Sequence, residues 1–486
     1  MNYKNDKMRK SLYTILFAGT LASMGPAGCK KWDDHNAITD EALTSTLFEQ
    51  ISADTSLSRF TELLSKSGYD KLLSSSITYT VYAPDNAALA NLDAAIVNDT
   101  TQLRRFVGNH IGLLTYLTSA TSATQRIAMV NGKYHNILGA TIENADIKRP
   151  DQRAKNGVFH IINKMLPALN NCWEALTTNS AIPSAQKNYL LSLFMKIYDT
   201  SNAVQTGVNP TTGEPVYQPG TDSVMTNRFW RSVYDLTDES KQYTFFVLAD
   251  TAWNSETVKF SPYYTSADSL STASLAKWYV VKDFAFEGAY NQATLPDTLV
   301  SKSNVKVPVD KSAIVQTITT SNGVIYIMKK MAVPPENKIQ QFVIQGEDYY
   351  GTSIDKRGNT YFRDRYNSLT QLDFRDVLVY NHGVSSFSIN YRIFNVPSMK
   401  YKAYWVALND FQSASFNQKL AIDTSTSTTL AYKAVPPNTY SEMYVGDVTI
   451  DTFRNMLNVY LVGAASTSAA ANPLVCDYIR LEPNFQ

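Results

Sequence analysis

The residues best suited to chemistry lie late in the chain, where Tyr401, Tyr404 and Trp405 are followed by Asn409 and Asp410. Flat aromatic rings beside amide and carboxylate edges suit a neutral sugar, which offers C–H faces for stacking and hydroxyl rims for hydrogen bonds. Strand alternation puts Tyr401 and Trp405 on one face and Tyr404 on the other, so at least one of those faces is core. Other reactive side chains are sparse. His35, His110, His135, His160 and His382 show no metal-binding spacing. Cys172 and Cys476 read as buried thiols that need no disulfide framework. Acid pairs such as Asp33/Asp34, or Asp364 near Asp373, have no nucleophile elbow, phosphate loop or paired-carboxylate frame around them. These features point to binding and away from catalysis.

Bulk charge narrows the partners. Lys+Arg number 44 and Asp+Glu 43, a net charge of +1, which supplies no field for steering to nucleic acid. A chain of 486 residues exceeds one ordinary core and leads one to expect roughly three domains of about 150 residues.

The start of the chain carries Lys4, Lys7, Arg9 and Lys10, and then the apolar run "SLYTILFAGTLASM", too short to span a bilayer as a stable helix. It reads as a secretion signal over residues 1–28. The small residues Ala27 and Gly28 before Cys29 resemble a bacterial lipobox, although Pro26 stands where that motif usually has Leu. The resemblance implies a lipid anchor on Cys29, a tether over 29–40, and attachment to the membrane without a transmembrane helix. Lys30, Lys31, Asp33 and Asp34 resemble the charged export signal of lipoproteins displayed on the outer face of the outer membrane.

Two pairs of motifs repeat. "TVYAPDNAAL" from Thr80 matches "TFFVLADTAW" from Thr244, and "NGVFHIINKMLPA" from Asn156 matches "NGVIYIMKKMAVPP" from Asn322. The separations, 76 residues from Thr80 to Asn156 and 78 from Thr244 to Asn322, argue for a duplicated domain. Each first motif reads as a buried strand followed by an Asp- or Asn-capped helix, and each second as an Asn-Gly turn leading into a strand. These residues resemble the signature motifs of the fasciclin domain, in copies over 41–170 and 171–338. In that family's pattern His110 matches the central histidine, and Lys282 stands at that place in the divergent second copy. The bland reading of His110 and His160 is hydrogen-bonded packing. An insertion from Thr206 to Val224 reads as an exposed loop.

From Gln341 the texture changes to short strand-like runs such as "FSINYRIF", "KYKAYWVAL" and "MLNVYLVG". Thirteen of the 30 tyrosines fall in this last third, making it the likeliest source of an aromatic face. "VIQGEDYY", "VGDVTI" and the closing "VCDYIRLEP" resemble a jelly-roll carbohydrate-binding module of the family-6 type. That resemblance implies a sandwich over 339–486 and a structural calcium whose matching positions are Gln345, Glu347 and Asp477, with calcium needing further oxygens.

The expected fold is therefore multidomain: two α+β fasciclin-like domains followed by an all-β jelly-roll sandwich. Together the resemblances imply a non-catalytic, surface-exposed outer-membrane lipoprotein. It would bind a polysaccharide or oligosaccharide and assist a TonB-dependent importer and its lid lipoprotein. The rival expectation is a protein-binding or adhesion scaffold of such a complex without sugar binding.

Overall fold

The structure is a computed structural model describing residues 43–120 and 123–485. The expected signal segment, lipid-bearing Cys29 and tether lie outside the described residues. The chain divides into two compact units, one ending at Leu169 and one running from Asn170 onward.

In the first unit the strands Tyr79–Pro84 and Gly157–Ile162 run parallel at the heart of a seven-stranded sheet. All six residues of Tyr79–Pro84 are buried, which explains an apolar run in place of alternation. Helices Leu47–Ala53, Ser58–Ser67 and Thr100–Gly108 supply Leu47, Phe60, Leu64 and Phe106 to the core over this pair. Thr46 and Glu49 close the first helix's amino end with a reciprocal capping box.

Asn156 is the clip that explains its motif. Its Oδ1 accepts from the Leu47 N–H at 2.8 Å, and its Nδ2 donates to the carbonyls of Leu73 (2.8 Å) and Ser75 (2.7 Å). Gly157 follows at φ +144°, where an added Cβ would collide with the Tyr79 carbonyl.

The second unit repeats this construction. Tyr243–Leu248 lies parallel to Gly323–Met328 in the same register, Tyr243 opposite Gly323 as Tyr79 is opposite Gly157. Asn322 Oδ1 accepts from the Cys172 N–H at 2.8 Å, and its Nδ2 donates to Leu236 (3.0 Å) and Asp238 (3.1 Å). Thr80 and Thr244 match too, since each hydroxyl accepts from a tyrosine N–H, Tyr116 or Tyr290.

Three expectations need correction here. Tyr82 N–H donates to the carbonyl of His110, while Phe246 N–H donates to that of Phe284. The residue corresponding to His110 is therefore Phe284, not Lys282, which ends the helix Ser269–Val281. After "YAPD" the chain forms turns instead of a helix, with Asp85 Oδ1 accepting from Ala88 N–H. After "VLAD" the helix Asp250–Phe260 begins with no side-chain cap, because Asp250 instead accepts from Ser184 and Ala185. The insertion is exposed, as expected, but it is organised: Phe194–Tyr198 pairs with Ser223–Asn227, and Gln205–Val208 with Pro215–Tyr217.

The last third is a β-sandwich built from four-, five- and three-stranded sheets. Ile344, Tyr391, Tyr401, Trp405, Val459 and Leu481 fill its core. It is packed onto the second copy within the same unit. Ser398 N–H donates to the Tyr263 carbonyl (2.8 Å) and Phe453 N–H to the Thr265 carbonyl (2.7 Å). Phe453 also rests on the stacked rings of Tyr264 and Tyr279, which lie 3.9 Å apart. The connector is pinned as well: Lys338 is buried, with Nζ donating to Asp283 Oδ2 (2.8 Å) and to the Tyr279 carbonyl (2.7 Å). Burial pulls the Lys338 pKa down, and the adjacent Asp283 carboxylate opposes that pull.

Candidate functional site

The predicted aromatic residues separate by face. Strand Lys400–Val406 sits between Tyr478–Asn484 and Met443–Thr449, so every second side chain enters the core. Tyr401 and Trp405, at 0% and 1% exposure, are those side chains. This corrects their assignment as ligand residues: Tyr401 donates its hydroxyl to the Pro397 carbonyl at 3.0 Å inside the sandwich, and neither ring can reach a sugar. Asn409 is buried too, its Nδ2 tying Ala414 and Val435 carbonyls at 3.0 and 3.2 Å. Asp410 is engaged by Arg363 Nη1 at 2.6 Å and Arg365 Nε at 2.8 Å. Of the named group, Tyr404 faces outward, flanked by the Arg480 guanidinium at 4.3 Å and the Tyr444 ring at 5.5 Å.

The acidic set assembles in part. Glu347 and Asp477 approach one another where Gly346 packs against the carbonyls of Cys476 and Asp477, a contact that leaves no room for a Cβ. Glu347 Oε2 is buried without a hydrogen-bond partner. Asp477 is 6% exposed, and burial, with the nearby charges of Asp376 and Glu347, pushes its carboxyl up to about 7. A cation would relieve both groups. Gln345 does not join them, since its side chain is exposed beside the inward-facing Ile344. Asp376 is held by Arg363 through two hydrogen bonds of 2.8 and 2.5 Å. Among the described residues no group of three or more His, Cys, Asp or Glu is arranged to hold a metal ion. The three-residue calcium set is thus corrected to an acid pair.

His110 and His160 are structural. His110 Nδ1–H donates to the Phe106 carbonyl (2.9 Å), and its Nε2 accepts from the Leu166 N–H (3.0 Å). Full burial pushes its pKa down to about 3. His160 donates from Nε2 to the Tyr116 carbonyl and accepts at Nδ1 from Asp151 N–H, each at 3.0 Å. Both rings are neutral spacers. Burial likewise raises the Cys172 thiol to about 12, far from a reactive thiolate.

An outward surface that sequence reasoning missed lies on the five-stranded sheet. Ser388–Val396 and Arg454–Gly463 are antiparallel, pairing Asn390 with Tyr460, Arg392 with Asn458 and Phe394 with Met456. Their neighbours Ile389, Tyr391, Ile393, Leu457 and Val459 are buried, so these three pairs face away from the core. Tyr350 joins them: its N–H donates to the Asn390 carbonyl at 2.7 Å, and its ring centroid lies 3.2 Å from the Arg392 guanidinium carbon. Asn390 Oδ1, Arg392 Nε and Asn458 Oδ1 have no hydrogen-bond partner and are themselves shielded from solvent beneath this face. The exposed rings of Tyr350 and Phe394 form an outward apolar patch suited to stacking on a sugar ring. The signal was the alternation in "SINYRIF" and "MLNVYLVG", but the pairing register that aligns them is not visible in one strand.

Parts of the chain are similar to known proteins. Residues 55–168 match the family model of the fasciclin domain. No curated protein matches the chain. Among solved structures, the chain is similar to a FAS1 domain pair from the insect cell adhesion molecule fasciclin I, at 15% identity and a TM-score of 0.24, over 58% of this chain and 99% of that one. It is also similar to the CBM36-1 domain of a multidomain xylanase from the hindgut metagenome of Trinervitermes trinervoides, at 15% identity and TM-score 0.22, over 30% of this chain and 99% of that one. A β-1,3-glucan-binding CBM6 from Bacillus halodurans is similar at 14% identity and TM-score 0.21, over 29% of this chain and 95% of that one. The chain is a mixed α+β multidomain protein in which residues 55–168 match the fasciclin-domain family and the C-terminal third is a β-sandwich.

Proposed function

We propose that this chain is a non-catalytic, lipid-anchored protein of the outer-membrane surface that binds a neutral glycan and assists its capture for a TonB-dependent importer and its lid lipoprotein. The observation that carries the binding reading is the outer face of the five-stranded sheet. There Tyr350 and Phe394 offer exposed rings on which the C–H faces of a sugar can stack. The lipobox-like segment before Cys29 supports the anchor, and among the described residues no helix is long and apolar enough to cross a membrane. The importer partnership rests on the export-signal resemblance of residues 30–34. A structural calcium belongs to the proposal only at Glu347 and Asp477, where the unneutralised acid pair supports it.

Affinity electrophoresis through gels containing xylan, β-glucan, mannan or starch tests the reading. Retardation by at least one polymer, lost in Tyr350→Ala/Arg392→Ala, is expected; free migration through all of them would refute it.

The scaffold reading keeps one supporting observation. The ribbon formed by Phe194–Tyr198 and Ser223–Asn227 leaves Tyr198, Val224 and Met225 exposed, the residue types that protein partners cover. Pull-down from native membranes with and without this ribbon separates the two readings: only a scaffold loses a protein partner when the ribbon is removed and no glycan is present.

A further inference from the structure

We infer that the buried pair Lys338 and Asp283 is a covalent modification site, at which the lysine amine and the aspartate carboxyl condense into an intrachain amide with loss of one water. Lys338 ends the short helix Pro335–Lys338 in the connector to the sandwich, and Asp283 follows the helix Ser269–Val281 of the second copy. Their side chains are 1% and 0% exposed. The rings of Phe260 and Phe284 wall the pair, with centres 5.3 and 5.4 Å from Lys338 Nζ. The other charges acting on Lys338, those of Lys282 and Glu256, oppose each other, and Glu256 is already paired with Lys259 at 2.7 Å.

Packing does not require charges at this place. Since Phe284 corresponds to His110, Asp283 corresponds to Asn109 of the first copy. The buried Asn109 closes that corner as a neutral amide, donating to the Leu166 carbonyl at 3.0 Å. Two full charges taken out of water carry a desolvation penalty that their mutual attraction does little more than offset. Condensation removes both charges at once and restores a neutral amide.

The geometry suits nucleophilic attack. Nζ lies 2.8 Å from Asp283 Oδ2 and 2.7 Å from the Tyr279 carbonyl, while Ser301 Oγ donates to Asp283 Oδ1 at 2.7 Å. Burial favours uncharged forms, so a proton passes from Nζ to Oδ2 along their hydrogen bond and leaves an amine beside a carboxylic acid. The Nζ lone pair then attacks Cγ, and negative charge gathers on Oδ1, where the Ser301 hydroxyl stands to receive it. As the Nζ–Cγ bond forms, a second proton moves from Nζ to Oδ2; the Cγ–Oδ2 bond breaks and Oδ2 leaves as water. No oxidant, nucleotide or outside base is consumed, and fixed proximity replaces an encounter. The product keeps its partners: the amide oxygen Oδ1 still accepts from Ser301, and the single remaining N–H still faces the Tyr279 carbonyl. The new bond joins positions 55 residues apart and so restricts the unfolded chain as a disulfide does.

Peptide mass spectrometry of the full chain, denatured and then cut with trypsin, tests the inference. Residues 283–302 should be recovered joined to residues 331–356, one water lighter than the two peptides together and uncut after Lys338. In Lys338→Met, residues 283–302 should be released free. Wild-type chain that yields unlinked 283–302 and is cut after Lys338 would overturn the inference. Loss of water confined to 283–302, the mark of an internal imide, would overturn it too, as would a link that persists in Lys338→Met. The wild-type peptide decides the matter by itself if the methionine variant does not fold.

Discussion

Asp477 is buried beside Glu347 with no cation to its credit among neighbouring side chains, and its carboxyl is pushed up to about 7. Because the folded state holds this proton more tightly than the unfolded chain, whose ordinary value is 3.8, the sign is fixed. The group's contribution is most favourable below the unfolded value and is lost as pH rises toward about 7. In EDTA, urea melts of the wild type should therefore show stability falling between about pH 4 and about pH 7, and Asp477→Asn should flatten that slope. Calcium should raise the melting temperature of the wild type and leave Asp477→Asn unmoved; a wild type equally stable with calcium and with EDTA would remove the metal from the account. At this scale the sequence was informative about chemistry and poor about orientation. "GEDYY" and "CDYIRL" marked Glu347 and Asp477 correctly as neighbours, yet alternation alone could not say which face of "KYKAYWV" met the core. The inward face took Tyr401 and Trp405, leaving Tyr404 outside.

Among elements, the repeat was the most legible feature because each motif residue has a backbone task. Asn156 and Asn322 each hold three backbone groups, and Gly157 and Gly323 each sit at a positive φ against a tyrosine carbonyl. Asn322→Ala should cost about 2–4 kcal/mol, since the Cys172 N–H and the Leu236 and Asp238 carbonyls lose their partner inside the protein. Gly323→Ala should be at least as damaging, about 2 kcal/mol or more, because a Cβ there meets the Tyr243 carbonyl in the sheet's interior. Chemical denaturation of each variant checks both; a loss under about 0.5 kcal/mol, the level of a neutral surface change, would contradict the assigned roles. What the sequence hid were pairings between distant strands. The insertion looked like a loop because its Gly, Pro and Thr residues obscure two short ribbons. Lys282 looked like the counterpart of His110 until hydrogen bonding aligned Phe284 there instead.

For the molecule as a whole, the expected boundary at residue 338 is a change of sheet but not a free joint. Phe453 on Tyr264 and Tyr279, Ser398 on Tyr263, and Lys338 on Asp283 make the sandwich and the second copy one compact unit. Calorimetric unfolding should show these two parts melting together, and Phe453→Ala should split or broaden that transition by removing the shared aromatic contact. Separate melting in the wild type would show that the contact does not couple them. A sandwich fixed in this way presents its five-stranded face in one orientation, which suits capture of an extended ligand at a surface. Whether this face binds sugar is decided by titration calorimetry of the full chain against its preferred neutral oligosaccharide, beside Tyr350→Ala/Arg392→Ala. Heat of binding in the wild type, with at least a tenfold weaker association at the altered face, is the expected result; equal affinity in the two proteins would contradict it.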